Sequence, residues 1–209
     1  MSQAAYGAGK AGATFDPMTF LKKPQVVLKL VCFLFGVIVY WCISGGSWYR
    51  DELTKKDLCL FNKDASACLY GSTIGFFGLL GAAGFVAGEY FFEQMSSAKS
   101  RKHFVIGDMG FSGLWAVLYF ISFCYLANQW SDTEEKDVPE SLSSGDAYTA
   151  ILFSFFSIFA WAGSGWFAYQ RFLQGVEGMD FPSAMPEAAQ YNSYPDTEGG
   201  EEYQQAPAY

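Results

Sequence analysis

Lys29, Glu89 and Asp108 are charged residues set inside long apolar runs, and Arg171 stands just past the end of a fourth run. A charge within a membrane-spanning segment is costly, so these four are the first candidates for function. If the runs alternate in direction, all four fall within about one to two helical turns of the same membrane face. Two bases and two acids, one from each run, can then pair there. Lys29 or Arg171 would meet Glu89 or Asp108 and fix helix order. The alternative is that each side chain reaches water independently. Catalysis fits poorly. An enzyme needs a nucleophile with a base, paired carboxylates in a pocket, or a metal cluster. Glu89 and Asp108 are the only candidates, and they lie at an interface. His103 is the only histidine and has no second ligand or nucleophile nearby in sequence. No catalytic residue, cofactor or metal site is expected.

The elements that carry these charges are four apolar segments, at about residues 26–44, 70–92, 105–127 and 147–169. At about 1.5 Å per residue each matches the roughly 30 Å hydrocarbon core of a bilayer. The chain is 51% hydrophobic and 19% aromatic, and only 16% charged. The expected fold is an all-α membrane protein, a four-transmembrane-helix antiparallel bundle spanning residues 25–170. Residues 1–24 form an N-terminal arm and residues 171–209 an acidic, Tyr-rich tail, both expected to be disordered. The net charge of -8 argues against nucleic acid as a partner. The lipid bilayer is the partner that composition itself implies.

The second segment carries a helical face of small residues: Gly71, Gly75, Gly78 and Ala82, with Glu89 in line and Gly81, Gly84 and Gly88 beside it. In water each glycine would weaken a helix by about 1 kcal/mol. In lipid, unbonded backbone groups cost more than that, so the helix holds and offers a bare face to another helix. This face is expected to be the packing centre of the bundle and to serve lateral contacts with other membrane proteins. Asp108, Ser112, Trp115, Tyr119 and Ser122 share one face of the third segment. Ala150, Ser154, Ser157, Trp161, Gly165 and Ala168 share one face of the fourth. Such faces point to helix–helix contact; a polar pathway is the rival reading.

Orientation rests on the basic residues and the cysteines. Lys10, Lys22, Lys23, Lys29, Lys99, Arg101, Lys102 and Arg171 lie toward one side; Arg50, Lys55, Lys56, Lys63 and Lys136 lie toward the other. Eight against five favours cytosolic termini. Lys99, Arg101 and Lys102 are expected to face anionic headgroups. Cys59 and Cys68, nine positions apart, are the only cysteines outside the spans. No histidine accompanies them as a zinc ligand, so a disulfide in an oxidising lumen is favoured over two unpaired thiols. Cys32, Cys42 and Cys124 lie within spans as small packing residues. In the tail, Tyr191, Tyr194, Tyr203 and Tyr209 are candidate phosphorylation sites on an acidic docking strip.

The stretches YGAGKAGATFDP (Tyr6 to Pro17), CLYG (Cys68 to Gly71), FCYLANQW (Phe123 to Trp130) and FSFFSIFAWAG (Phe153 to Gly163) carry a family likeness. The chain resembles the synaptogyrins, four-span MARVEL proteins related to synaptophysin, over the whole membrane domain. The resemblance implies a multi-pass protein of synaptic and synaptic-like vesicles with both termini cytosolic. It implies a non-enzymatic part in vesicle biogenesis, sorting and regulated exocytosis. Its expected partners are synaptophysin-like vesicle proteins and the fusion machinery, in a homo- or hetero-oligomer. The alternative is a pore-forming or transport protein. A bundle this small would line a pore only as an assembled ring, and the lack of mid-membrane charge speaks against it.

Overall fold

The computed structural model describes residues 17–51, 55–95, 97–134, 138 and 142–180. A short helix α1 (Pro17–Leu21) precedes α2 (Pro24–Gly46). Two short strands follow, β1 (Trp48–Arg50) and β2 (Asp57–Cys59), and then α3 (Ala65–Gln94), α4 (Ala98–Ser131) and α5 (Ser144–Asp180). The helices α2 to α5 are each long and apolar enough to cross a membrane. Together they form the expected four-span bundle. Pro24 opens α2, where the missing N–H removes a group that would lack a helical partner anyway.

Each helix outruns its apolar segment. The largest extension is at the end of α5, where residues 171–180, expected in the tail, continue the helix. Contacts explain this. Phe172 packs against the cluster of Phe92 and Val105, and Arg171 turns back into the bundle, so these turns are tied to α3 and α4.

Helix α2 packs closely on α3 and on α5, and α4 packs closely on α5. The α3–α4 contact closes the square. Each helix therefore has two neighbours and one helix across the diagonal. Glycine sets the α2–α3 spacing. A Cβ on Gly75 would lie 3.1 Å from the backbone nitrogen of Tyr40, and one on Gly36 would lie 3.1 Å from that of Leu79. Only hydrogen fits where two backbones approach this closely.

The α3–α4 seam is built differently. Aromatic rings of α4 lie against the glycines of α3: Phe104 on Gly88, Phe111 on Gly81, and Trp115 on Gly78. Phe111 and Trp115 stack at 4.4 Å between centroids. Trp115 Nε1 donates to the Ile74 carbonyl at 3.3 Å. The glycine face is thus filled by α2 and α4 of the same chain. Only Gly84 among the glycines of α3 meets nothing within 4 Å; elsewhere the short α3–α4 connection delivers the rings of α4 directly onto the face. Outward, Leu34, Trp41, Phe77, Leu114, Phe120, Phe159 and Trp166 stay exposed as an apolar surface for lipid.

The loop between α2 and α3 is not plain coil. β1 and β2 form an antiparallel ribbon with Trp48 opposite Cys59 and Arg50 opposite Asp57. Asn62 turns the chain at φ 51°, a left-handed conformation that asparagine tolerates better than most residues. Asp64 then caps α3 by accepting from the Ser66 N–H at 2.9 Å.

Candidate functional site

The four charges selected from sequence lie at the end of the bundle nearest both described termini. They pair, and each pair spans a diagonal. Lys29 of α2 donates to Asp108 of α4, and Arg171 of α5 donates to Glu89 of α3 at 2.7 Å. Neither snorkels to water: Lys29 is 0% exposed, Glu89 1%, Asp108 3% and Arg171 8%. The helix pairs joined in this way are the two that do not otherwise pack closely.

Local sequence explains why each pair forms where it does. Ser112 follows Asp108 by one helical turn, so its hydroxyl shares the inward face. Ser112 Oγ accepts from Lys29 Nζ at 2.8 Å and donates to Asp108 Oδ1 at 3.0 Å, closing a triangle. The rings of Phe85 and Trp161 lie 4.6 and 4.9 Å from Lys29 Nζ, adding cation–π attraction where no water reaches. Glu89 lies one turn beyond Phe85 on α3. The Arg171–Glu89 pair therefore crosses the bundle about 6 Å nearer the membrane face than the Lys29–Asp108 pair. The Arg171 guanidinium also lies 5.0 Å from the Phe92 ring. The two braces are stacked, one above the other.

The outer brace borders a cleft of about 160 Å³ lined by Lys23, Gln25, Glu89, Phe92, Phe167, Gln170, Arg171 and Gln174. Burial pushes the Lys23 ammonium below its usual range, and the Glu89 carboxylate acts against that shift. Glu89 Oε2 is buried and has no hydrogen-bond partner.

Sequence reading missed a fifth buried charge. Arg101, expected at the lipid headgroups, is only 7% exposed. Its Nε donates to the Met95 carbonyl at 2.8 Å, and its Nη2 reaches the same oxygen. The last carbonyls of a helix lack internal partners, and the short α3–α4 turn places Arg101 where it can satisfy the one just past α3. The signal was an arginine soon after a helix end, which sequence does not distinguish from a lipid-facing charge. His103 is exposed, with Nδ1 2.8 Å from the Lys99 carbonyl oxygen.

At the opposite end Cys59 and Cys68 are disulfide-bonded, with Cα atoms 6.0 Å apart. The bond ties the end of β2 to the first turns of α3. The Tyr125 hydroxyl donates to Asp64 Oδ2 at 2.5 Å, and Asn62 Nδ2 donates to Gln129 Oε1 at 3.0 Å, tying the same loop to α4. The Tyr125 hydroxyl and the Ser66 N–H hold the Asp64 carboxyl below its usual range. Cys32 and Cys42 are buried, but Cys124 is exposed on the outer face of α4 instead of packing inside.

The small and hydroxyl faces of α4 and α5 turn inward. Ser112, Tyr119, Ser122, Ser154, Ser157 and Trp161 are all 0% exposed. Toward the disulfide end this polar column stops at Leu126, Ala147 and Ala150, which are apolar and equally buried. Among the described residues no group of three or more His, Cys, Asp or Glu side chains is placed to hold a metal ion. Tyr191, Tyr194, Tyr203 and Tyr209 lie outside the described residues.

A family profile for the membrane-associating domain, MARVEL, matches residues 20–167, the region that contains all four spans except the last turns of α5. The chain is 50% identical to Synaptogyrin of Drosophila melanogaster over 180 residues, 86% of this chain and 73% of that protein. It is 45% identical to Synaptogyrin-2 of Homo sapiens over 213 residues, 99% of this chain and 92% of that protein. It is 39% identical to human Synaptogyrin-1 over 195 residues, 93% of this chain and 84% of that protein.

Proposed function

Because the chain belongs to the synaptogyrin family of MARVEL proteins, and is a multi-pass vesicle membrane protein, we propose that it contributes to vesicle biogenesis, sorting and regulated exocytosis as a rigid membrane organiser. The observation that carries this reading is the double diagonal brace. A pair of buried ion pairs across both diagonals, with no catalytic constellation around them, suits a bundle whose task is to hold its shape among lipids and neighbouring proteins.

Both termini face the cytosol in this reading, and the disulfide-bonded loop faces the vesicle lumen. The positive-inside bias and the compartment preference of disulfides support that orientation. Lateral contacts with synaptophysin-like proteins fall to the outward apolar faces, since the glycine face of α3 is filled from within except at Gly84. The acidic tail, with Tyr191, Tyr194, Tyr203 and Tyr209, provides a docking and phosphorylation strip toward the fusion machinery. The protein acts without enzymatic chemistry. A pore within a single chain is disfavoured, because the inward polar column ends at Leu126, Ala147 and Ala150.

Proximity labelling from the C-terminal tail in a secretory cell, combined with isolation of small vesicles, tests this reading. Recovery beside synaptophysin-like proteins and the fusion machinery is expected. Labelling confined to plasma-membrane or junction proteins contradicts it.

A further inference from the structure

Five buried side-chain polar atoms among the described residues have no hydrogen-bond partner, and four of them lie along the seam of α4 and α5. They are the Tyr119 hydroxyl and Ser122 Oγ on α4, and Ser154 Oγ and Trp161 Nε1 on α5. All four residues are 0% exposed. The register of the two antiparallel helices gathers them. Gly165 lies against Ser112, the Trp115 and Trp161 rings stand 6.5 Å apart, and Phe123 meets Phe155 at 5.2 Å. Between these contacts Tyr119 comes level with Ser157, and Ser122 with Ser154. The four atoms thus span about two helical turns around the middle of the bilayer. Ser157 donates to the Phe153 carbonyl of its own helix at 2.7 Å, a common way to satisfy a serine inside a span. Ser122 and Ser154 make no such bond, and none of the four atoms bonds another. An unsatisfied polar group is costly here, because the bilayer core supplies neither donor nor acceptor. Polar atoms gathered in this way without bonding directly call for a bridging water.

We propose that α4 and α5 hold a site for ordered water at this level, a cluster of about two molecules bridging Tyr119, Ser122, Ser154 and Trp161. The chemistry selects water. The Trp161 N–H only donates, whereas the three hydroxyls donate and accept, so the occupant must do both. It must be small, because all four residues are sealed from the surface. It must be neutral, because no carboxylate is among the four, and the cation beside Trp161, Lys29, is already held by Asp108. Toward the disulfide end Leu126, Ala147 and Ala150 close the site. The cluster locks the register of α4 on α5 through groups that would otherwise oppose their packing.

The test is proton-detected solid-state NMR of the full chain in phosphatidylcholine bilayers, reading magnetisation transferred from water at short mixing times. The wild-type protein is expected to show transfer to the side chains of Ser122 and Ser154 and to the Trp161 indole N–H. Leu126, Ala147 and Ala150 are as deeply buried and lie nearer the disulfide end, so they serve as the internal control and should stay dark. Water leaking in from that end would light these three first. In the double variant Ser122→Ala with Ser154→Ala the cluster loses two of its four partners, and transfer to the Trp161 N–H should fall to the level of Leu126. The resonances of Lys29 and Asp108 should keep their wild-type shifts, which shows that the bundle is intact. The wild-type comparison stands by itself if the variant fails to fold. Ser122 and Ser154 as dark as Leu126 in the wild type overturn the proposal. So does equal transfer to all of these residues, or a Trp161 signal that a folded double variant leaves unchanged.

Discussion

At the end of the bundle near the termini, Lys29 reaches Asp108 and Arg171 reaches Glu89 across both diagonals. At the opposite end a disulfide, a two-stranded ribbon and the Tyr125–Asp64 hydrogen bond tie the loop to α3 and α4. The first end depends on charges held away from water. The second depends on a covalent bond and on groups that water can reach. A buried ion pair tolerates neither loss of one partner nor a change of helix order, because a stranded charge has nowhere to go. A loop tied by a disulfide can loosen without disturbing the spans. The braced end should therefore decide which fold forms, and the tied end how firmly one loop is held.

The sharpest way to break this contrast is to strand one charge. Lys29→Met leaves Asp108 buried beside Ser112 without its cation, and should cost about 3–5 kcal/mol. Thermal unfolding in bilayer discs reads the loss. Adding Asp108→Leu should recover most of it, since an apolar pair can replace a buried ion pair.

Removing the disulfide comes next. Its loop spans a sequence separation of 9, for which chain entropy gives about 2.5 kcal/mol. Cys59→Ser with Cys68→Ser should lower the unfolding temperature, and reductant should then have no further effect. Helix content before the transition should stay unchanged. A loss of helix in this variant would collapse the distinction between the two ends.

Within the braced end, Arg171→Gln should cost less than Lys29→Met, about 2 kcal/mol, because water in the adjoining cleft and Lys23 can reach the stranded Glu89. An equal loss for both variants would show that the cleft offers Glu89 no relief.

Two glycines on α3 refine the packing side. Gly75→Ala brings a Cβ to 3.1 Å from a Tyr40 backbone atom that cannot yield, and should cost about 1 kcal/mol. Gly84→Ala meets nothing within 4 Å and should be neutral or slightly stabilising, by up to about 0.5 kcal/mol.

The smallest effect is pH-dependent. Asp64 has its carboxyl held below the ordinary range by Tyr125 and Ser66. A depressed folded-state value means its contribution is complete above the unfolded-state range and is lost as pH falls through the folded value. Between pH 7 and pH 5 the loop should hold, with loosening only below about pH 4. Tyr125→Phe should move the onset of loosening upward. Hydrogen exchange in the 60–70 stretch would record it.

The spans were legible because lipid demands long apolar helices, and the four charges because each interrupts or borders such a run. Their collection at one end follows from counting turns in alternating directions. The pairing did not follow. Four helices can form a square in more than one order, and only the observed order puts Lys29 opposite Asp108 and Arg171 opposite Glu89. The α3 glycines were legible as a packing face, but what covers them depends on where Phe104, Phe111 and Trp115 land, a question of rotation that periodicity leaves open. Arg101 and Cys124 were misplaced for related reasons. A basic residue near a helix end can seek a carbonyl or a headgroup, and a small thiol fits lipid as well as a core. The β1–β2 ribbon was not foreseen because three-residue strands carry too little alternation to read.

The most direct test of the diagonal braces is a set of double-mutant cycles on unfolding free energy in bilayer discs, pairing Lys29→Met with Asp108→Leu, Arg171→Gln with Glu89→Gln, and Lys29→Met with Glu89→Gln. The braces predict coupling in the first cycle at least as large as the stability that Asp108→Leu restores to Lys29→Met, a smaller coupling in the second and none in the third. Additive losses in the first two cycles, or strong coupling between Lys29 and Glu89, would contradict them.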